Sequence, residues 1–126
     1  MRVLLDTAVL IFAVEAPERL SKRAYSALKD ADDIRELSSV SLVEIAIKNT
    51  QGKLKMPAET VRQAMQDMMV RVLPFAEGHA YRLFELPLHH RDPFDRQIVA
   101  QALSENIPLV TPDERLRKYQ GLKVIW

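Results

Sequence analysis

The feature that most constrains the fold is an alternation of short apolar segments with longer segments of helical periodicity. The apolar segments feed directly into helical patterns, which is typical of strands in βαβ units. The predicted strands are Arg2–Leu5, Glu36–Val40, Val70–Leu73, Ile107–Val110 and Lys123–Ile125. Strands joined by helices form right-handed crossovers and a mainly parallel sheet. The sequence therefore predicts an α/β fold, a single three-layer α/β/α domain over residues 1–126 with a central, mainly parallel sheet.

Apolar residues recur at helical spacing between these strands. The predicted helices are Ala8–Val14, Ser21–Lys29, Leu42–Gln51, Glu59–Met69, Glu77–Leu86 and Phe94–Glu105, with a further helix start at Thr111. Ser21 is a serine cap, Asp92-Pro93 is a cap followed by a first-turn proline, and Gly52 ends the third helix. We interpret Asp92 mainly as this structural cap.

Composition restricts the class of protein without naming a partner. The chain is 48% hydrophobic and 28% charged, values that are ordinary for a globular domain. Its 18 basic residues nearly balance its 17 acidic ones, so any nucleic-acid binding has to come from a local patch. There are no cysteines, which excludes thiolate chemistry and is consistent with the cytoplasm. Asp6 interrupts the apolar N-terminal run, so we predict a buried strand there, no signal peptide and no membrane association.

Four acidic residues follow predicted strands or lie in the first turn of the next helix: Asp6, Glu44, Asp95 and Asp113. In an open parallel sheet, strand ends and helix starts share one edge, where ligands bind. Four carboxylates that converge there would raise one another's pKa values unless a cation neutralised them. Hard cations such as Mg²⁺ or Mn²⁺ prefer all-oxygen ligands. The pattern predicts a metal site.

Helix capping is the alternative explanation for three of these acids. The stretches Ser41–Glu44 and Thr111–Glu114 match the S/T-x-x-E capping box, and Asp95 lies in the first turn after the cap Asp92. Asp6 is different, because an acid that ends an apolar buried strand is unfavourable without a partner. Taken together, the four positions favour one acidic site over four separate structural roles.

Three stretches carry a family resemblance: LLDTAVLIFAV, SSVSLVEIAIKNTQGKLKMP and LPLHHRDPFDRQIVAQALSENIPLVTPDERLRKY, followed by LKVIW. They span the chain nearly end to end and resemble the PIN-domain ribonucleases of the VapC toxin type. The resemblance places the family's four acids on Asp6, Glu44, Asp95 and Asp113, and a hydroxyl near the metal on Thr111. The chain departs from the family at Ala8 and Phe12, which bears on substrate or partner and leaves the acids intact.

The resemblance implies a Mg²⁺-dependent endoribonuclease, with Mn²⁺ as an alternative ion, that hydrolyses phosphodiester bonds. We expect Asp6 and Asp95 to bind the metal directly, and Glu44 and Asp113 to act partly through water. It further implies the toxin of a toxin–antitoxin pair, which inhibits translation by cleaving transfer or ribosomal RNA in the cytoplasm. The expected protein partners are a VapB-like antitoxin and a second copy of the chain.

Basic and histidine residues near the acids have less specific roles. The tentative contacts to the RNA backbone are Lys48, Arg91 and Arg96. His89 and His90 are either loop residues ahead of a helix or functional groups, as RNA contacts or as the acid and base of a metal-free ribonuclease.

Two other classes of protein compete with the nuclease. A degenerate, non-catalytic domain could keep the acidic pocket only to bind a partner, although all four acids are retained. A phospho-acceptor receiver domain would need a pair of acids after the first strand, and Asp6-Thr7 does not supply it.

Overall fold

The computed structural model, which describes residues 1–126, contains one sheet of five parallel strands. The strands are β1 (Arg2–Leu5), β2 (Ile34–Ser38), β3 (Val70–Leu73), β4 (Leu109–Val110) and β5 (Val124–Ile125). Their order across the sheet is β3-β2-β1-β4-β5, and each neighbouring pair is parallel. The predicted α/β class with a central parallel sheet is confirmed.

Helices connect the strands and cover both faces of the sheet. They are α1 (Thr7–Glu15), α2 (Lys22–Lys29), α3 (Ser39–Thr50), α4 (Ala58–Asp67), α5 (Glu77–Leu83) and α6 (Pro93–Glu105), with 3₁₀ helices at Pro17–Arg19 and Glu114–Lys118. None of the helices is both long enough and apolar enough to cross a membrane.

The alternation of side chains along β1 produces two hydrophobic cores. Val3 and Leu5 pack with residues of α1 to α4 on one face of the sheet. Leu4 points to the other face and packs with residues of α6, including Ile98 and Val99. All of these side chains are almost fully buried. The sheet is therefore the middle layer of three, as the sequence predicted.

The register of β1 determines which residues meet at the carboxyl edge of the sheet. Leu5 is aligned with Leu37 of β2 on one side and with Val110 of β4 on the other. The chain crosses from β1 to β2 on one side, and β4 is added on the other, so this edge is the topological switch point. Asp6 and Thr111, the next residues along the two central strands, therefore lie side by side.

The capping box considered as the alternative explanation for Ser41–Glu44 is not formed. Helix α3 begins at Ser39, three residues earlier than that box requires, because the Ser38 hydroxyl accepts a hydrogen bond from the Val40 N–H (3.0 Å). Ser41 is completely buried, and its Oγ accepts a hydrogen bond from the Thr7 hydroxyl (2.8 Å). Glu44 consequently lies in the second turn of α3, and not in the first turn as predicted.

The capping box considered for Thr111–Glu114 is also not formed. The cap is Asp113, whose Oδ1 accepts from the Arg115 N–H (3.0 Å), and the element that follows is a 3₁₀ helix. The Thr111 hydroxyl oxygen accepts instead from the Asp113 N–H (3.1 Å). Glu114 is exposed and pairs with Arg117 within the 3₁₀ helix (3.1 Å).

Candidate active site

Asp6 lies at the switch point between β1 and α1. Its backbone N–H donates to the Val110 carbonyl (2.9 Å), which extends the pairing of β1 with β4 by one residue. Its carboxylate makes no capping hydrogen bond to α1, although it occupies the cap position. Instead, Oδ2 accepts a hydrogen bond from the Thr111 hydroxyl (2.6 Å). Burial raises the pKa of Asp6, and the negative charge of Glu44 raises it further.

Glu44 reaches the same edge from the second turn of α3. Its side chain is buried, and Oε2 accepts from the Lys48 ammonium (2.6 Å), one helical turn further along. The other oxygen, Oε1, is buried and has no hydrogen-bond partner. A buried carboxylate oxygen without a donor is unfavourable, so Oε1 is available to a ligand that supplies positive charge.

Asp95 is presented by the first turn of α6. Asp92 caps this helix as predicted, because its Oδ1 accepts from the N–H groups of Phe94 (2.8 Å) and Asp95 (3.1 Å). Pro93 follows at the first helical position, where no N–H is needed. The side chain of Asp95 is only 18% exposed.

The acids share one electrostatic environment. The pKa of Asp95 is raised to about 8, first by burial and then by nearby negative charge. The charges that contribute are those of Asp6, Asp92, Glu44 and Asp113. A carboxyl group with this pKa is mostly protonated at neutral pH, because burial and the surrounding negative charge disfavour its ionised form. The structure therefore brings all four predicted acids to one crevice.

Asp113 has a cationic partner that contacts both of its carboxylate oxygens. Arg115 donates from Nε to Oδ1 (3.0 Å) and from Nη2 to Oδ2 (2.8 Å), a bidentate pair. This contact holds the pKa of Asp113 below its ordinary value. The Arg115 side chain is 64% exposed and extends from the 3₁₀ helix into solvent.

His90 belongs to the site, although the sequence did not assign it a definite role. It is 8% exposed, and its Nε2 lies 2.9 Å from Oδ2 of Asp95 and 3.3 Å from Oδ2 of Asp113. These three side chains can each offer a ligand atom within 4.8 Å of the others. His89 is exposed and packs edge-on against Tyr119, at 5.0 Å between ring centroids. The two histidines are therefore not arranged to act on one phosphate.

The three tentative RNA contacts have different surroundings. Lys48 is paired with Glu44, which raises the pKa of the lysine. Arg96 donates to the Pro87 carbonyl (2.9 Å) and so supports the loop that carries the histidines. Arg91 is exposed, next to His90.

A parallel α/β/α fold with carboxylates at its switch point defines a class of domain suited to binding a cation. The PIN domain family matches residues 3–122. The chain is 32% identical over 121 residues to Ribonuclease VapC22 of Mycobacterium tuberculosis, which covers 94% of this chain and 92% of that protein. The chain belongs to the PIN domain family, and its resemblance to the VapC type is confirmed.

Solved structures of toxin–antitoxin complexes share the fold. VapBC2 from Rickettsia felis, bound to a DNA fragment from its promoter, matches with a TM-score of 0.76 and 17% identity, covering 98% of this chain and 97% of that one. DNA-bound VapBC from Salmonella typhimurium matches with a TM-score of 0.70 and 18% identity, covering 98% and 96% of the two chains.

Proposed function

We propose that this protein is a metal-dependent endoribonuclease that acts as the toxin of a toxin–antitoxin pair. The observation that carries the proposal is the crowding of Asp6, Glu44, Asp95 and Asp113, because burial together with these nearby charges raises the pKa of Asp95 to about 8. The matched relative named Ribonuclease VapC22 supports the same reaction class.

The donor atoms of the crevice fit a hard divalent cation. Carboxylate oxygens dominate, the Oε1 atom of Glu44 is buried without a partner, and burial and nearby negative charge raise the pKa of Asp95. Mg²⁺, with Mn²⁺ as an alternative, prefers such ligands. We infer that Asp6 and Asp95 bind the ion directly, and that Glu44 and Asp113 act partly through water.

The residues of this chain would hold the carboxylates in the orientation that the reaction needs. A divalent cation in the crevice supplies Lewis-acid activation of water and stabilises the charge that develops on the phosphate. Thr111 fixes the orientation of the Asp6 carboxylate through their 2.6 Å hydrogen bond. Lys48 binds one oxygen of Glu44 and leaves the other without a partner in the protein.

The RNA is proposed to be transfer or ribosomal RNA, so that cleavage in the cytoplasm inhibits translation. Single-stranded loops expose the phosphate and splay the bases, which allows an edge crevice of this kind to reach the scissile bond. Arg91 is the most available of the three proposed phosphate contacts, since Lys48 and Arg96 already have partners within the protein. Both of these could still contribute long-range attraction.

Two protein partners are part of the proposal. The solved relatives are VapB–VapC complexes, and we infer a VapB-like antitoxin here. Its apolar segment would fit a groove of about 770 Å³ between α3 and α4, while a basic side chain enters the acidic crevice. We also propose a homodimer, supported by exposed apolar side chains on and after α5: Tyr81, Phe84 and Leu88.

The test is to express the protein with and without the neighbouring reading frame and to map RNA 5′ ends. We expect growth arrest that the neighbour relieves, and new 5′-phosphate ends that are absent in Asp6→Asn. That variant should lose cleavage by roughly 100-fold or more, because it removes a charged ligand. Asp32→Asn, an exposed acid in the loop before β2, is the matched control and should keep full activity. Full activity of folded Asp6→Asn would refute the proposal.

The chemistry of the product separates this reaction from its competitors. Metal-assisted attack of water is blocked by EDTA, whereas attack by the 2′-hydroxyl with histidine catalysis gives a cyclic phosphate and ignores the chelator. A non-catalytic domain would bind the antitoxin and produce no new RNA ends at all.

A further inference from the structure

The loop before α6 places a buried imidazole at the edge of the acid crevice. Nε2 of His90 lies within ion-pair distance of Asp95 and Asp113, yet its N–H is aligned with neither oxygen closely enough to form a hydrogen bond. The side chain is more than nine-tenths buried, so water does not satisfy this nitrogen. Nε2 of His90 is therefore a buried polar atom that lies close to two carboxylates and has no hydrogen-bond partner. The structure of the loop alone does not explain this placement.

The other ring nitrogen determines which atom carries the proton. The backbone N–H of Asp92 points at Nδ1 of His90 at 3.2 Å, so Nδ1 is the acceptor in this contact. An accepting Nδ1 has a free lone pair, and the neutral imidazole then carries its proton on Nε2. The residue that caps α6 thus also sets the tautomer of the histidine.

This tautomer decides between two roles for His90. Nε2 can coordinate a cation only through a lone pair, which requires the proton to move to Nδ1. A proton on Nδ1 would face the Asp92 N–H, donor against donor, in a loop that the α6 cap holds in place. The ligand role therefore conflicts with the local backbone, and the donor role does not.

We propose that His90 is a positioning residue whose protonated Nε2 lies against the Oδ2 atoms of Asp95 and Asp113 and attracts them electrostatically, and that it does not coordinate the metal. This inference rests on the proposed nuclease site. By interacting with one oxygen of Asp95, the histidine would restrict the orientation of the carboxylate and leave its other oxygen for a cation.

The tautomer is measured directly by long-range ¹H–¹⁵N correlation NMR of the histidine rings, in metal-free protein and after addition of Mg²⁺. We expect His90 to show a protonated, pyrrole-type Nε2 and a pyridine-type Nδ1 in both states. A pyridine-type Nε2 in the Mg²⁺-bound protein would overturn the proposal, whether or not the protein cleaves RNA.

Variants add a binding measurement that is independent of cleavage. His90→Ala should weaken Mn²⁺ binding in calorimetry by ~10–100-fold, the usual effect of removing a residue that orients a ligand. His90→Gln keeps an N–H donor near the position of Nε2 and should restore the affinity to within about threefold. His89→Ala, in the same loop but packed on Tyr119, is the matched control and should bind Mn²⁺ like the wild type.

Other outcomes separate the alternatives. If Gln fails as badly as Ala, and both lose Zn²⁺ or Ni²⁺ affinity far more than Mg²⁺ affinity, His90 is an imidazole ligand and the proposal is wrong. If His90→Ala does not fold in EDTA, the NMR tautomer of the wild type and the metal affinity of His90→Gln still decide whether His90 is a positioning residue or a metal ligand. Wild-type protein that binds Mn²⁺ and cleaves no RNA would refute the nuclease, while His90 would still be judged by its tautomer and by metal affinity.

Discussion

Asp95 and Asp113 lie against the same imidazole nitrogen, yet their surroundings shift their pKa values in opposite directions. Asp95 is desolvated and surrounded by other carboxylates, which raises its pKa to about 8. Asp113 is paired with Arg115, which lowers its pKa. At the scale of single residues, the surroundings therefore disfavour the ionised form of Asp95 and favour the ionised form of Asp113.

The first prediction follows from the Asp95 shift. Its pKa in the folded state, about 8, lies above the ordinary value of 3.8, so the folded protein binds more protons than the unfolded chain between these values. The free energy of unfolding should accordingly fall as the pH rises through that window. In EDTA, we expect Asp95→Asn to raise the melting temperature at about pH 9 and to have little effect at about pH 4.

Asp113→Asn is the matched comparison, measured by the same thermal unfolding. Because the pKa of Asp113 is lowered, its ionised form stabilises the fold at neutral pH, and that contribution is lost as the pH falls through the lowered pKa. The variant should not raise the melting temperature at high pH.

Mn²⁺ should stabilise the wild type and not Asp95→Asn. Equal pH profiles for wild type and Asp95→Asn would contradict the prediction.

At the scale of the element, α6 has its functional residues concentrated at one end. Asp92 caps the helix, Pro93 starts it, and Asp95 projects from its first turn into the crevice. The same capping residue contacts the ring of His90 through its backbone. The cap formed by Asp92 thus sets the direction of Asp95, the proposed metal ligand. Capping and metal binding are compatible in this turn because different residues perform them.

The second prediction concerns this cap. Asp92→Ala should lower the free energy of unfolding by ~1 kcal/mol, within the usual range for loss of a cap. It should also weaken Mn²⁺ binding, because the first turn that carries Asp95 frays. Ser21→Ala is the control: its hydroxyl caps α2 through the Ala24 N–H (3.0 Å), remote from the acids.

Chemical denaturation and calorimetry would measure both cap variants. We expect similar losses of stability and a loss of Mn²⁺ affinity in Asp92→Ala alone. Asp92→Asn retains the capping oxygen and should stay close to the wild type in stability. An Asp92→Ala protein with unchanged metal affinity would show that the cap does not position Asp95.

At the scale of the whole molecule, helix α3 contributes residues both to the acidic crevice and to the apolar groove. Glu44 projects from this helix into the crevice, while Leu42 and Ile45 of the same helix line the groove. A partner that covered the groove would therefore lie close to the proposed catalytic edge. One antitoxin segment could bind an apolar surface and block the acids together.

The third prediction tests the groove as the antitoxin surface. Met65→Glu introduces a charge into the groove lining and should weaken binding of the neighbouring gene product by at least about tenfold, with RNA cleavage retained. Met69→Glu is the control, since Met69 is 77% exposed and lies outside the groove lining. Calorimetric titration would give both affinities. Equal affinities for the two variants would exclude the groove.

The sequence by itself determined the strands, the alternation that makes the sheet parallel, the caps at Ser21 and Asp92, and the four acids. These depend on periodicity and on contacts between residues close along the chain. Only the tertiary structure decided what each acid touches. The Asp6–Thr111 hydrogen bond joins residues 105 positions apart, and the His90 ring lies against Asp113, which belongs to a different element of the fold.

The same distinction explains the predictions that failed and the residue that was missed. Ser41 and Thr111 match helix caps locally, but in the structure their hydroxyls make contacts at the sheet edge, with Thr7 and Asp6 respectively. His90 is three residues before Pro93 and reads as a loop residue, although the spacing H-x-D ahead of a capped helix was a usable signal. Its position against two carboxylates depends on how α6 and the 3₁₀ helix are placed relative to each other, which local patterns do not determine.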